Sequence, residues 1–329
     1  MIDDVKYTVN IVGNRSFYAS KMTSVVIPPS VTTITYYGFQ QANSLRDICI
    51  KGPLSATDGG AQTVRTISLT DTPFGGSGIK FVVVGPNLKL GGNASKFQVG
   101  SSGAQFLLPK KSGNTTWTNN TLSTDTHTIT YYGPDEGFDM AMGETKMTFY
   151  PKTTEALASI ISLAPRFKSS FDLDTKIVVT NRIEASESVS ITDSMLANVT
   201  MEAPLRFLAF TPTTANALTN VLSWAPSFMT RFGLDTHISV TNTLDLTGVT
   251  ITPAMVADVT FDRLMFAAKT QAQLDGILGA FPATTPISID PTGLTENMII
   301  PDDCPNVYVK TVPGVTVKRT TSGFMLVVK

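Results

Sequence analysis

The strongest constraint on the fold is an internal duplication between Phe149 and Phe261. The segment that begins near Leu157 returns near Leu218, 61 residues later, and both copies keep the same apolar and proline positions. A fixed internal period indicates units that bury their apolar faces by stacking on their neighbours. The sequence therefore predicts a repeat architecture.

Each copy combines a strand with an amphipathic helix. One helical face carries the apolar residues Leu157, Ile160 and Ile161 in the first copy, Leu218, Val221 and Leu222 in the second, and Leu274, Ile277 and Leu278 in a shortened third. Pro165 and Pro226 are expected to end the first two helices, because proline lacks the amide donor and clashes with the preceding turn. Both helices are therefore predicted to be short.

Residues 24–50 carry a second pattern. Ile27-Pro-Pro-Ser-Val31-Thr-Thr-Ile34 is followed by Phe39 and then by Ser44-Leu45-Arg-Asp-Ile48-Cys-Ile50. This order resembles the BspA-like leucine-rich repeat, in which a strand, a proline turn, a second strand and a short helical turn form one coil. The resemblance implies that Phe39 fills the interior of the coil. It implies an α/β repeat solenoid of leucine-rich-repeat type, β-rich with short helices, elongated and built from two repeat blocks.

The repeats also predict a division of the chain. We expect a capping strand at about 1–22, a first BspA-like repeat block at about 23–140 and a second block at about 141–309. The second block should hold about three copies of a unit of roughly 50–61 residues. Two further capping strands are expected at about 310–329. The hexapeptide Thr-Ile-Thr-Tyr-Tyr-Gly, which occurs at 33–38 and again at 128–133, favours similar structures at both places.

Charge and composition exclude some classes of protein. The net charge is −1 and the lysines and arginines are scattered, so no basic stripe for nucleic acid is present. The start of the chain has acidic residues where a signal peptide has basic ones, and no run of about 18 apolar residues predicts a membrane span. We expect neither membrane insertion nor nucleic-acid binding, and homo-oligomer formation stays open.

No catalytic or metal-binding constellation stands out. His127 and His237 lie in strand-like contexts, and His237 takes the place of Lys176 in the other copy, which favours an exposed side chain. Cys49 and Cys304 are too far apart in sequence for a clustered metal site and are interpreted as small core residues. The prediction is a non-enzymatic protein without metal or cofactor. A carbohydrate-active enzyme with two carboxylates brought together by the fold is the competing class.

Aromatic residues are the better candidates for binding. Strict alternation along Thr128–Tyr132 buries Tyr131 and exposes Tyr132, and by the same reasoning Tyr37 is exposed. Together with Trp117, these two tyrosines form the candidate binding set. Trp224 aligns with Leu163 and is interpreted as core.

The resemblance implies adhesion or protein recognition, because BspA-like proteins are commonly bacterial surface or secreted binders. The expected partner is a protein or glycan on a cell surface. A component of a virus particle, such as a phage tail, baseplate or receptor-binding protein that contacts neighbouring virion proteins, is the alternative. In both cases the expected location is extracellular, at a cell surface or in a virion.

Overall fold

The structure is a computed structural model that describes residues 8–52, 65–70, 72–91, 103–110, 127–293, 298–301, 303–304, 306–313, 317–321 and 324–328. The chain divides into two compact units. The first comprises Met1–Tyr150 with Ser162–Ile177, and the second comprises Pro151–Ile161 with Val178–Lys329.

The elements in the first half of the chain are mostly strands. In chain order they are β1 (Ile11–Val12), β2 (Ser24–Ile27), β3 (Thr33–Ile34), β4 (Asp47–Ile50), β5 (Arg65–Leu69), β6 (Phe81–Val84), β7 (Leu88–Gly91), β8 (Gln105–Pro109), β9 (Thr128–Tyr132), β10 (Phe138–Met142), β11 (Lys146–Pro151), helix α1 (Thr154–Phe171) and β12 (Asp174–Val178).

Helices and strands alternate in the second half. The elements are β13 (Ile183–Ala185), α2 (Asp193–Leu196), β14 (Val199–Glu202), β15 (Phe207–Pro212), α3 (Ala215–Phe232), β16 (Asp235–Ser239), β17 (Leu244–Asp245), α4 (Pro253–Val256), β18 (Val259–Ala267), α5 (Gln271–Ala280), β19 (Ile287–Asp290), β20 (Met298–Ile300), β21 (Val307–Val309), β22 (Val317–Thr321) and β23 (Phe324–Val328).

Parallel pairing dominates the sheets. In the first unit, one sheet has the order β1-β3-β5-β7 and another the order β2-β4-β6-β8-β9, and every pair in both is parallel. In the second unit, a sheet runs β13-β15-β16-β18-β19-β21, and β17 pairs with β18. The antiparallel pair β22-β23 extends β20 in a further sheet.

The prediction of a leucine-rich-repeat solenoid with short helices is wrong. The described residues form a mixed α/β fold with four sheets dominated by parallel pairing, and about 21% of these residues are helical. The duplicated unit consists of a strand, a helix and a parallel strand: β11-α1-β12, then β15-α3-β16, then β18-α5-β19. A helical crossover of this length is the usual way to join parallel neighbours in one sheet. The predicted borders of the repeat blocks stay predictions.

The prediction that Pro165 and Pro226 end their helices is also wrong. Both α1 and α3 are 18 residues long and contain the proline in their interior. The turn beyond each proline carries a fully buried phenylalanine: Phe167 stacks on Phe149 at 5.6 Å between ring centroids, and Phe228 stacks on Phe210 at 5.9 Å. Burial of these rings offsets the proline penalty of about 3 kcal/mol.

Helix α3 ends at Phe232, before a left-handed cap. Gly233 follows α3 with φ 64° and donates its N–H to the carbonyl oxygen of Met229. Asp172 holds the equivalent place after α1 with φ 52°. The carboxylates of Asp172 and Asp174 both accept from Lys168, at 2.6 and 3.0 Å.

Several predicted core positions are confirmed. Trp224 is buried in α3, and Cys49 and Cys304 are both buried free cysteines. Burial raises the pKa of the Cys49 thiol to about 12, so this side chain is an unreactive part of the core at neutral pH.

Candidate functional site

Three short segments of the first unit lie side by side, and we call them ribbons: residues 13–20, 35–42 and 72–78. The first ribbon donates N–H groups to the second, for example from Phe17 to the Gly38 carbonyl oxygen at 2.8 Å. The second donates to the third, from Phe39 to Pro73 at 2.8 Å. Each ribbon therefore satisfies its backbone by pairing with its neighbour.

A ladder of phenylalanine rings fixes the ribbons to one another. Phe17, Phe39 and Phe74 occupy equivalent places, and their rings stack at 5.0 and 5.6 Å between centroids, with interplanar angles of 9° and 13°. Phe39 and Phe74 are completely buried, whereas Phe17 is 37% exposed. The expectation that Phe39 fills the interior is confirmed.

The first two ribbons bend at left-handed residues that are not glycine. Arg15 and Ala19 have φ of 56° and 53°, and Tyr37 and Gln41 have φ of 59° and 55° at the equivalent places of the next ribbon. Each such residue costs roughly 1–2 kcal/mol relative to a right-handed conformation. Strained backbone of this kind concentrates at functional sites, because the surrounding fold must hold it in place.

The strained turns gather an arginine among aromatic rings. The Arg15 guanidinium lies over the Tyr18 ring at 5.6 Å and over the Tyr37 ring at 5.5 Å. The Tyr18 hydroxyl donates to Gln41 Oε1 at 2.6 Å. Because these contacts fix the tyrosines to neighbouring ribbons, the aromatic groups are held in place before any partner arrives.

We call this region the aromatic surface, and its members are Arg15, Phe17, Tyr18, Tyr36 and Tyr37. Phe17, Tyr18 and Tyr36 are 36–40% exposed, a large fraction for aromatic side chains. The stretch from Thr8 to Arg46 contains three cations, Arg15, Lys21 and Arg46, and no acidic residue. The aromatic surface therefore combines exposed rings with a positive charge.

The predicted binding residues are not brought together. Tyr37 belongs to the aromatic surface and is half-buried there. Trp117 lies outside the described residues. The prediction that Tyr132 is exposed is wrong: it is 1% exposed, and its hydroxyl donates to the Val84 carbonyl oxygen at 2.6 Å.

Tyr132 has a structural role at the carboxyl ends of the parallel strands. It borders a cavity of about 340 Å³ that also contacts Lys110, Asp139 and Tyr150. Burial raises the pKa of the Tyr132 hydroxyl well above its ordinary value. The hydrogen bond to Glu136, at 2.6 Å, raises the pKa of Lys110. With its hydroxyl engaged by Val84, Tyr132 ties β9 to β6 and contributes no free polar group to a ligand.

Sequence reasoning missed most of the aromatic surface. It treated Tyr36 as buried by analogy with Tyr131, and it left Arg15, Phe17 and Tyr18 out. Two signals could have found them: the lack of acidic residues between Thr8 and Arg46, and the spacing of 22 residues that relates Arg15 to Tyr37 and Phe17 to Phe39.

A histidine–carboxylate pair lies in the second unit. His237 Nδ1 is 3.1 Å from Asp262 Oδ1, and Arg182 donates to the other carboxylate oxygen at 2.8 Å. A register shift after Ile238 in the β16-β18 pair brings Asp262 to this place. The imidazole stacks on Phe207 at 4.0 Å between centroids, so packing and charge pairing explain its position.

Within the described ranges, no three His, Cys, Asp or Glu side chains lie together in a way that could hold a metal ion. None of the helices in this part of the chain is both long enough and apolar enough to cross a membrane.

Comparisons with known proteins do not identify a family. No family model matches the chain, and no curated protein and no solved structure matches it either. The resemblance to the BspA-like repeat stays a prediction, carried by residues 24–50 alone.

Proposed function

We propose that this protein is a non-enzymatic recognition protein whose aromatic surface binds an acidic patch on a partner protein. The observation that carries the proposal is the exposed arginine–aromatic cluster on rigid, strained turns. Tyrosine and arginine dominate the energetically important centres of protein interfaces, and side chains that are already held in place lose little entropy on binding.

The charge of the surface favours an acidic partner. Arg15 is stacked between two tyrosines, and an arginine in this position can still present its N–H groups to a carboxylate. No acidic residue between Thr8 and Arg46 competes for it. A protein with exposed carboxylates supplies the charge complementary to Arg15, which favours a protein partner over a neutral glycan.

We place this recognition at a cell surface or on a virus particle. The test is attachment of fluorescently labelled protein to a panel of intact bacterial and animal cells, measured by flow cytometry. We expect saturable attachment to at least one cell type, loss after protease treatment of the cells and weakening as salt rises. Retained attachment after protease and loss after periodate would identify a glycan instead.

Matched variants connect attachment to the aromatic surface. The double variant Tyr18→Ser with Tyr36→Ser should weaken attachment at least tenfold, because hot-spot aromatics each contribute 2 kcal/mol or more, roughly. Tyr308→Ser is the control, since Tyr308 is 67% exposed in the second unit. Equal attachment of both variants, or no attachment of the parent to any cell, would overturn the proposal.

Two other experimental outcomes would change the proposed function. Self-association that disappears in the double variant, measured by sedimentation, would make a second copy of the chain the occupant of the surface. Turnover of any member of a glycan panel would establish an enzyme and remove the non-enzymatic assignment.

A further inference from the structure

The third strand-helix-strand unit encloses a groove between α5 and the loop that follows β17. The groove has a volume of about 250 Å³. Its apolar floor is formed by Ile251, Ile277 and Ala280, each less than a tenth exposed. For comparison, an engineered apolar cavity of roughly 150 Å³ is large enough to bind benzene.

The second and third strand-helix-strand units differ at a helical position beside this groove. Thr214 caps α3 by accepting from Ala217 N at 3.1 Å, and Thr270 caps α5 in the same way from Gln273 N at 3.2 Å, so the two helices align. In this alignment Gly276 takes the place of Asn220. Gly276 lines the groove, and a Cβ placed there would meet no atom within 4 Å.

In the second strand-helix-strand unit Asn220 bridges α3 and the loop in front of it. Its Nδ2 donates to the Glu187 carbonyl oxygen at 3.0 Å, and Asn216 Nδ2 reaches Glu187 Oε2 at 3.4 Å. These bonds tie α3 to the loop in front of it. In the third strand-helix-strand unit Gly276 has no side chain to make this bond, which leaves room between α5 and the loop at this position.

Polar side chains fix the rim of the groove. Asp245 Oδ1 accepts from Thr247 N at 2.9 Å and from Thr247 Oγ1 at 2.6 Å. Gln273 Nε2 donates to Thr247 Oγ1 at 3.2 Å, and Gln273 Oε1 accepts from Lys269 N at 2.7 Å. The carboxylate, the hydroxyl and the amide thus form one connected network across the mouth.

One oxygen of Asp245 is only loosely paired. Its Oδ2 meets Lys269 Nζ at 3.4 Å, whereas the equivalent pair in the next repeat, Asp290 with Lys310, is at 2.9 Å. Short charge-assisted bonds measure about 2.7–2.9 Å. Asp245 Oδ2 therefore keeps capacity for a stronger donor.

We propose that this groove binds a small amphiphile with one protonated amine and an apolar body. The amine donates to Asp245 Oδ2, and the body lies over Ile251 and Ile277 in the space that Gly276 leaves open. The Asp245 carboxylate is ionised at neutral pH, and hydrogen bonds from Thr247 lower its pKa further below the ordinary value. This inference is independent of the aromatic surface and of its partner.

The test uses 2-phenylethylamine and hexylamine as probes, with 2-phenylethanol and phenylacetate as the neutral and anionic comparisons. Titrations of the full chain are followed by protein NMR and by calorimetry. We expect saturable binding of the amines, at least tenfold weaker binding of the alcohol and none of the acid. Chemical-shift changes should be confined to residues around the groove.

Two glycines on α5 provide a matched pair of variants. Gly276→Leu should fill the groove and weaken amine binding at least tenfold. Gly279→Leu makes the same change on the same helix, at a position with open space that does not line the groove, and should leave affinity within twofold. Equal binding by the two variants, or no saturable binding of either amine by the parent, would overturn the proposal.

Asp245→Asn tests the charge of the ligand separately from the groove. Amine affinity should fall at least tenfold, while the weaker binding of the alcohol should change less than twofold. If the amines bind Asp245→Asn as tightly as the parent, the assignment of a cationic ligand is wrong. Thermal unfolding of each variant shows whether the fold is retained.

Discussion

In the first unit each ribbon joins a strand of one sheet to a strand of another through left-handed turns, whereas in the second unit the long helix α3 joins two parallel neighbours of the same sheet, β15 and β16. Both routes deliver a phenylalanine to a ring stack: Phe39 lies 5.6 Å from Phe74, and Phe228 lies 5.9 Å from Phe210, between ring centroids. Both regions place a buried phenylalanine in a ring stack, but the backbone conformation that positions it differs.

This difference in backbone conformation determines which side chains each region can expose to a partner. A helix satisfies its own backbone, so α3 needs only one apolar face against the sheet. A ribbon satisfies its backbone through the next ribbon, as in the bond from Phe39 N to Pro73 O, and it bends at strained residues. Exposed side chains such as Tyr18 and Tyr36 are thereby fixed on a rigid turn, which suits recognition.

The largest effect is expected from a charge placed in the helical region. Val221 is completely buried in α3, and Val221→Asp should lower the free energy of unfolding by more than about 4 kcal/mol, because an unpaired carboxylate would be desolvated. Thermal unfolding followed by circular dichroism measures this. Ser223→Asp, on the exposed side of the same helix, is the control and should change stability by about 0.5 kcal/mol or less. If Val221→Asp unfolds like the parent, the packing of α3 is incorrectly described.

The helical region was the more predictable of the two. The stripe of Leu218, Val221 and Leu222 gave the buried face of α3 correctly, because a period near 3.6 follows from helix geometry alone. The end of the helix was missed, since Pro226 is a strong local stop signal and only the tertiary burial of Phe228 overrides it. Local rules contain no information about that distant contact.

The ribbons were much less predictable. The hexapeptide Thr-Ile-Thr-Tyr-Tyr-Gly is identical at 33–38 and 128–133, yet it forms a two-residue strand with a left-handed turn at Tyr37 in one place and the five-residue strand β9 in the other. Neighbouring segments select between these conformations. The candidate site therefore could not be derived from alternation along one strand, and Tyr132 was assigned to the wrong face.

The second prediction concerns the ring ladder of the ribbons. Phe39→Ala should cost about 3–5 kcal/mol, because it leaves a cavity between two stacked neighbours. Phe17→Ala should cost only about 1 kcal/mol, because the ring is partly exposed and has one neighbour in the ladder. Denaturant unfolding of both variants gives the difference. Equal losses would show that the ladder does not end at Phe17 as described.

The third prediction concerns the backbone hydrogen bond that the proline inside α3 prevents. Pro226 is exposed in the interior of α3, and Pro226→Ala supplies an N–H for the carbonyl of Leu222. We expect a gain of about 1 kcal/mol, less than the roughly 3 kcal/mol intrinsic difference because α3 already accommodates the proline. Pro253→Ala is the control: Pro253 starts α4, where no amide donor is needed, so no gain should follow. A loss of stability in Pro226→Ala would mean that the proline stabilises the folded conformation of α3.

The smallest effect is expected from a substitution that relieves left-handed backbone strain in a ribbon. Ala19 has φ 53° and an exposed side chain, and the equivalent place in the third ribbon is Gly76, with φ 68°. Ala19→Gly should raise the free energy of unfolding by about 0.5 kcal/mol, since relief of left-handed strain exceeds the added entropy of the unfolded chain. Ala42→Gly is the opposite case: Ala42 is buried and not left-handed, so the same change should cost about 1 kcal/mol. Calorimetric melting of both variants measures the two signs. If Ala19→Gly also destabilises, the ribbon turns are not strained, and the aromatic surface owes its rigidity to the ring contacts around Arg15 alone.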